Sequence, residues 1–384
     1  MTQTPQPGAD AHPTAYWQEA GSERSARWRS EAGLPPPKRI VIADDSLSAD
    51  AAYKLACEGG TLLWRGDYQN ARQLLQALAR RVDRKGAKTG ATPQESFHLH
   101  RQAQGRRAQI LSRLVLPLDA DYAIPLRRAP DLCQACLEAY GEGGEASLVS
   151  LRELLGLIGA HEWRKKGVEV KALAARIHPH YGVFAPIRGE YVDLAADAPL
   201  PGAELAFDIG TGSGVLAALL AKRGVARVVA TDQDERALAC AADNLQRLQL
   251  DGQVALQRAN LFPEGRAQLA VCNPPWLPAK PSSAIEYAVY DPDSAMLRGF
   301  LDGLAAHLLP GGEGWLILSD LAEHLGLRSR EQLLQWIDQA GLAVLGRLDV
   351  KPSHKKAVEQ TDGLSAARRA EITSLWRLGV KAPA

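Results

Sequence analysis

Three glycines at alternate positions follow an aspartate in Asp208-Ile209-Gly210-Thr211-Gly212-Ser213-Gly214, and no other stretch of the 384-residue chain restricts its fold so tightly. The apolar Leu205 to Phe207 enters this heptapeptide, and the small apolar Val215 to Leu220 leaves it. A short apolar run, a glycine turn and a helix-forming segment read as a buried strand, a tight turn and a helix packed on the sheet. Glycine there permits positive φ and lets a ligand come close to the backbone. About 24 residues after Asp208, Asp232 closes the strand-like Val228 to Thr231, where an acid can take two ribose hydroxyls. The pattern points to a cofactor that contains adenosine.

The third glycine decides which cofactor. A dinucleotide fingerprint places its last glycine where this chain has Val215, and a β-branched residue there argues against NAD. The D-x-G-x-G-x-G form of Asp208, Gly210, Thr211, Gly212 and Gly214, with Asp232 ending the next strand, resembles motif I of class I S-adenosylmethionine-dependent methyltransferases. A second motif, Asn273-Pro274-Pro275-Trp276, follows the strand-like Ala267 to Cys272. It resembles the N-P-P-aromatic motif of methyltransferases that modify planar NH2 groups. Such a nitrogen delocalises its lone pair into a ring or carbonyl, so acceptors must draw it out of plane. The Asn273 oxygen and the Pro274 carbonyl can accept both N–H bonds, the prolines fix the backbone direction, and Trp276 can stack on the flat target. Between the two motifs, Ala259-Asn260-Leu261-Phe262 ends another apolar segment. The resemblance implies that Asn260 meets the adenine amino group and that Leu261 or Phe262 flanks the ring; read without it, Asn260 is a turn residue.

From about residue 203 the chain alternates apolar runs with helical patterns, which favours a parallel sheet covered by helices. Strands are expected at 205–208, 227–232, 254–258, 267–272, 315–319, 343–350 and 372–378, and helices at 214–223, 235–248, 294–307 and 329–340, with Pro310-Gly311-Gly312 breaking the chain before the fifth strand. The resemblance implies an α/β, Rossmann-like seven-stranded class I methyltransferase domain, with Asp208, Asp232, Asn260 and Asn273 at the carboxyl ends of strands. Just ahead of it, His178 to Glu190 resembles the G-V-F segment of the small-domain methyltransferases, a group that includes ribosomal RNA guanine N2-methyltransferases. There the segment helps cover the cofactor and shape the substrate entrance, which makes Phe184, Tyr181 and Arg188 candidates for contact. His178 and His180 lack a further ligand at suitable spacing, so no metal is expected.

The length fits two domains. Residues 1–37 lack a targeting pattern and read as a flexible lead-in, 38–175 as an amino-terminal substrate-recognition domain of mixed α/β or mainly helical character, and 176–384 as the methyltransferase domain. Ile40 to Ala43 looks like a strand, Ala49 to Cys57 and Asn70 to Arg81 like helices; Leu148 to Ala160 and Lys171 to Ile177 also look helical and would connect the halves. Five scattered cysteines imply no disulfide framework and a reducing cytoplasm, and Cys133-x-x-Cys136 reads as packing on an apolar helix face. No run approaches a membrane span. Net charge is only +1, yet from Arg80 to Arg128 about eleven basic residues stand against about four acids. That run, with Arg84-Lys85-x-x-Lys88 and Arg106-Arg107 its densest points, is a candidate phosphate-contacting surface, as is the later Lys351-Pro352-Ser353-His354-Lys355-Lys356 with Arg368-Arg369.

The leading reading is an S-adenosylmethionine-dependent N-methyltransferase acting on an exocyclic amine of RNA, ribosomal RNA first, at adenine N6 or guanine N2. The alternative is a protein glutamine N5-methyltransferase of the release-factor type, because a glutamine amide is planar too; a release factor or ribosomal protein would then be the partner. The segment Tyr290 to Leu304 resembles those enzymes, whereas Trp276 stands where they usually carry Tyr. A non-catalytic RNA-binding protein with a retained methyltransferase fold is the reading from another class.

Overall fold

Apolar runs that alternate with amphipathic segments demand a sheet with helices on both faces, and the carboxyl-terminal part of the chain builds one. The computed structural model describes residues 12–84, 86, 88–281, 286, 288–352 and 362–382. It divides into two units, residues up to Gly86 with Arg101–His161, and Ala87–His100 with Glu162–Ala384.

The first unit holds β1 (Thr14–Glu19), β2 (Ser22–Trp28), β3 (Ile40–Ala43), α1 (Ala49–Cys57), β4 (Thr61–Trp64), α2 (Tyr68–Asp83), most of α3 (Pro93–Leu111), β5 (Leu114–Leu118), α4 (Cys133–Tyr140), β6 (Ser147–Ser150) and the start of α5 (Leu151–Lys166). Its six-stranded sheet runs β1-β2-β6-β5-β4-β3, with parallel and antiparallel pairs, so the unit is mixed α/β. Residues 14–28 are therefore no lead-in: β1 and β2 pair antiparallel from Thr14↔Arg27 to Glu19↔Ser22, and β2 continues the sheet through Trp28↔Leu148. The hairpin was illegible because Ser22–Trp28 is polar and largely exposed. Ala15 and Trp28 anchor it, packing with Leu63, Val115 and Leu148, and Trp17 and Ala26 pack against the same cluster. In α4, Cys136 is fully buried, and burial pushes its thiol up to about 11, as expected of a packing cysteine.

The second unit opens with a hairpin, β7 (Val168–Val170) and β8 (Ala175–Ile177), joined by a 3-10 turn at Lys171–Leu173 and a left-handed Ala174. The helix expected over Lys171 to Ile177 is thus replaced by strand pairing that buries Val170, Leu173 and Ile177, a tertiary gain larger than local helix propensity. There follow α6 (Glu190–Asp197), β9 (Leu205–Ile209), α7 (Val215–Lys222), β10 (Arg227–Asp232), α8 (Glu235–Arg247), β11 (Val254–Arg258), β12 (Ala267–Cys272), α9 (Ala295–His307), β13 (Leu308–Ser319), α10 (Leu321–His324), α11 (Arg330–Gln339), β14 (Leu342–Val350) and β15 (Thr373–Val380). The seven-stranded sheet runs β11-β10-β9-β12-β13-β15-β14, parallel except for β15, which is antiparallel to both neighbours. The sheet has the seven strands that the resemblance implies. Pro310-Gly311-Gly312 does not end the chain's run into β13 but bulges within it: Ala267 pairs with Leu308 and Leu269 with Glu313, which loops out residues 309–312.

Alternate residues of each central strand feed opposite cores. Ala206, Leu269, Val271, Trp315 and Ile317 face a core with α6 and α7, whereas Phe207, Ile209, Ala270, Cys272 and Leu316 face one with α9 and α11. Seven of the eight residues of α7 are buried, each large one contributing about 1.5–3 kcal/mol. Gly214 caps that helix at φ 80°, and a Cβ there would meet the Ala241 Cβ at 3.1 Å. We expect Gly214→Ala to lower stability by roughly 2 kcal/mol, from the left-handed backbone and the tight contact together; urea unfolding with an unchanged midpoint would contradict this.

Candidate active site

A parallel sheet brings the carboxyl ends of its strands to one edge, and the sequence motifs fall on three adjacent strands there. Ile209, at the end of β9, pairs with Thr231 of β10 on one side and with Cys272 of β12 on the other. Asn273 therefore begins one strand away from Gly210, and Asp232 ends one strand away in the opposite direction.

The glycine turn is held from beneath by Asp208, which is 1% exposed. Its Oδ2 accepts the Thr211 hydroxyl at 2.7 Å and the Ala217 N–H at 3.0 Å, fastening the turn to α7. Its Oδ1 is buried without a hydrogen-bond partner. Burial pushes this carboxyl up to about 6, against the lowering from those two donors. Above the turn, the Gly212 N–H donates to Asp232 Oδ2 at 3.0 Å, and the Asp234 N–H donates to Asp232 Oδ1 at 3.0 Å. Burial raises Asp232 as well. A Cβ added at Gly212 would meet nothing within 4 Å, so the turn faces open space at that point. The backbone, two acids and an uncovered glycine thus form a cradle with unspent polar capacity, which fits an adenosine cofactor with hydroxyls and an ammonium group to donate.

Asn260 is exposed just beyond β11. Leu261 adopts φ 74°, rare for a branched side chain, and its carbonyl accepts the Thr231 hydroxyl at 2.5 Å. That strained residue directs the Leu261 side chain toward Gly299 of α9. Phe262 stacks on Phe300 and His307 instead of presenting itself to a ligand. Phe184 is 39% exposed.

Pro274 is buried, while Asn273, Pro275 and Trp276 are half-buried. The Trp276 indole N–H donates to Asn273 Oδ1 at 2.9 Å. The motif is thus internally bonded, a feature that its i, i+3 spacing left unread. A carbonyl oxygen has two lone pairs, so the Asn273 oxygen can take a second donor. Arg188 lies on Trp276 with its guanidinium carbon 5.4 Å from the ring centroid. The two histidines before it anchor the segment: the His178 N–H donates to Asn244 Oδ1 at 2.7 Å, and His180 Nε2 lies 3.1 Å from Asp243 Oδ2. Residues 353–356 of the second basic cluster lie outside the described residues.

Asp208 generates a pH prediction. Its folded-state value lies above the ordinary 3.8, so the charged form is the disfavoured one in the folded protein. The stability difference between the wild type and Asp208→Asn should then be constant below pH 4 and move against the wild type as pH rises from about 4 to about 6, by up to about 3 kcal/mol in cofactor-free protein. Thermal unfolding across that window with parallel curves for the two proteins would refute it.

Comparison with known proteins places this geometry. The sequence profile described as methyltransferase small domain matches residues 179–329. The release factor glutamine methyltransferase of Gloeobacter violaceus is 34% identical over 174 residues, which cover 41% of this chain and 58% of that protein. Its namesake from Cereibacter sphaeroides is 32% identical over 176 residues, 42% of this chain and 58% of that protein. The tRNA1(Val) (adenine(37)-N6)-methyltransferase of Shewanella loihica is 26% identical over 212 residues, 51% of this chain and 84% of that protein. The chain spans little more than half the length of the first two. The profile match spans the glycine turn, Asp232, Asn260 and the Asn273–Trp276 motif, so the chain is similar to the methyltransferase small domain family over these residues.

Proposed function

We propose that the chain methylates a planar NH2 nitrogen, and that this nitrogen is an exocyclic amine of an RNA base, adenine N6 or guanine N2. The observation that carries the reading is the Asn273 carboxamide, fixed by Trp276 at the end of β12 and one strand from the glycine turn.

Asp232 would take the ribose hydroxyls, the backbone of Gly210, Thr211, Gly212 and Gly214 would lie against the cofactor, and the unpartnered Asp208 oxygen would receive its ammonium group, directly or through water. Asn260 would meet the adenine edge, with Leu261 and Phe184 as its apolar neighbours. Bound S-adenosylmethionine supplies an electrophilic methyl group on a sulfonium. The chain's own work is orientation. Asn273 Oδ1 and the Pro274 carbonyl accept the two N–H bonds of the target amine, which turns its lone pair out of the ring plane, and Trp276 holds the base flat. No strong base is needed, because the nitrogen becomes acidic only once it is cationic.

The RNA reading draws on the first unit. Arg80, Arg84 and Arg106 are exposed and have no ion-pair partner among the described residues, whereas Arg81, Arg107, Arg127 and Arg128 pair with Asp50, Asp83 and Asp67. A glutamine amide is the second reading, favoured by the names of the two bacterial relatives above. No helix of the described residues is long and apolar enough to cross a membrane.

Calorimetric titration with S-adenosylmethionine tests the enzyme reading against a non-catalytic RNA-binding protein, which would show no heat of binding. Mass spectrometry of RNA nucleosides and release-factor tryptic peptides from a deletion strain then identifies the acceptor: loss of a methylated adenine or guanine supports the proposal, and loss of methylglutamine overturns it. Asn273→Ala should cut turnover about a hundredfold while leaving cofactor affinity within about twofold, because its bonds strengthen as the amine leaves planarity. Wild-type turnover in that variant would remove Asn273 from the mechanism. Affinity for RNA should fall steeply between about 50 and 200 mM salt, and binding insensitive to salt would exclude phosphate contacts.

A further inference from the structure

The chemistry above uses Asn273 and Trp276 but leaves Arg188 idle, although its place ahead of the glycine motif marks it as a contact for cofactor or substrate. In the structure its guanidinium is already engaged. Nε donates to Glu190 Oε1 at 2.8 Å, and a terminal nitrogen donates to Glu371 Oε1 at 3.1 Å. Both carboxylates are buried, at 6% and 2% exposure. The same Glu371 oxygen accepts the Ser319 hydroxyl at 2.8 Å, at the end of β13. The next residue is fixed too, since the Ile372 N–H donates to Asp320 Oδ1 at 2.7 Å and the Asp320 N–H to the Ile372 carbonyl at 3.0 Å. Arg188 is thus tied to the start of α6, the end of β13 and the entry to β15, and its guanidinium carbon lies 5.4 Å from the centroid of Trp276.

We propose that Arg188 is a positioning residue of the methyl-transfer site, holding the Trp276 ring and, through the indole N–H, the orientation of the Asn273 carboxamide; this rests on the assignment of Asn273 and Trp276 to that site. The chemical need is specific. A carboxamide presents acceptors at one end and donors at the other, and a target NH2 is itself a donor. An Asn273 side chain flipped by half a turn would offer NH2 to NH2 and could not draw the amine out of plane. The indole N–H is only a donor, so it can bond the oxygen end alone and thereby selects the productive orientation. That selection lasts only while the ring stays in place. Burial disfavours the Arg188 charge, yet Glu371 and Glu190 together hold it more basic than an ordinary guanidinium, so a fixed cation remains over the ring at all working pH. Two carboxylates at an angle need the planar fork of arginine, which the single ammonium of lysine reproduces only in part.

The test reads the indole itself. The full chain labelled with 15N should show indole N–H signals from its eight tryptophans, and Trp276→Phe identifies one of them. In Arg188→Met that signal should shift and exchange with water about fivefold faster, the change expected when one hydrogen bond is lost, with partial recovery in Arg188→Lys. Glu371→Gln, which keeps shape and removes charge, should give an intermediate shift and serves if the Met variant does not fold. S-adenosylmethionine affinity by calorimetry should stay within about twofold throughout. An unmoved Trp276 signal in Arg188→Met or Glu371→Gln overturns the proposal, as does a change spread evenly over the other indoles. Failure of the wild-type protein to bind S-adenosylmethionine would instead defeat the methyl-transfer reading and leave the indole result to stand as a structural fact.

Discussion

One buried carboxylate organises the carboxyl edge of the sheet in the second unit. Asp208, one residue before the end of β9, spends one oxygen on the Thr211 hydroxyl and the Ala217 N–H, which locks the glycine turn onto the first turn of α7. Taking a carboxylate out of water is costly unless its lone pairs are used, and here the other oxygen has no protein partner. A fold that served stability alone would fill that position with an apolar side chain or a second donor. Leaving it unpaired is reasonable where a ligand completes the bonding, and the uncovered Gly212 above it gives that ligand room.

The neighbouring strand carries a different kind of order. Between the end of β12 and Leu277, where backbone pairing resumes in a bridge to Tyr290, the two prolines of the Asn-Pro-Pro-Trp loop donate no N–H. Within that span side chains add order: the indole of Trp276 on the Asn273 oxygen, the guanidinium of Arg188 on the ring, and the ring itself against the core of Phe207 and Phe300. The supports of that guanidinium reach across the sheet to Ser319 and Glu371. The order of this loop is thereby shared with strands remote from it, which is how a rigid scaffold holds a loop in a fixed geometry.

Much of the second unit was legible in the sequence, and the reason is local. Its strands are short apolar runs bounded by turn residues, so Arg227–Asp232, Val254–Arg258 and Ala267–Cys272 end in the structure where their patterns end. The fifth strand was read too short, because Pro310-Gly311-Gly312 is a breaker in isolation yet is absorbed as a bulge once Leu308 pairs with Ala267. The polar Ser22–Trp28 gave no apolar period at all, and Lys171 to Ile177 gave a helical one that strand pairing overrode. In each miss the deciding partner lies elsewhere in the chain.

The sequence by itself determined the strand–glycine turn–helix unit, the strand that ends at Asp232 and the place of the Asn-Pro-Pro-Trp motif after its strand, because each depends on a short local pattern of apolar and turn residues. Only the tertiary structure decided that Asn273 is already bonded to Trp276, that Arg188 serves Glu190, Glu371 and the Trp276 ring, and that residues 14–28 extend a sheet. The physical reason is that periodicity reports how a segment divides its own faces between core and water, whereas an ion pair such as Arg188–Glu371 joins residues 183 positions apart and leaves no trace in the pattern of either segment.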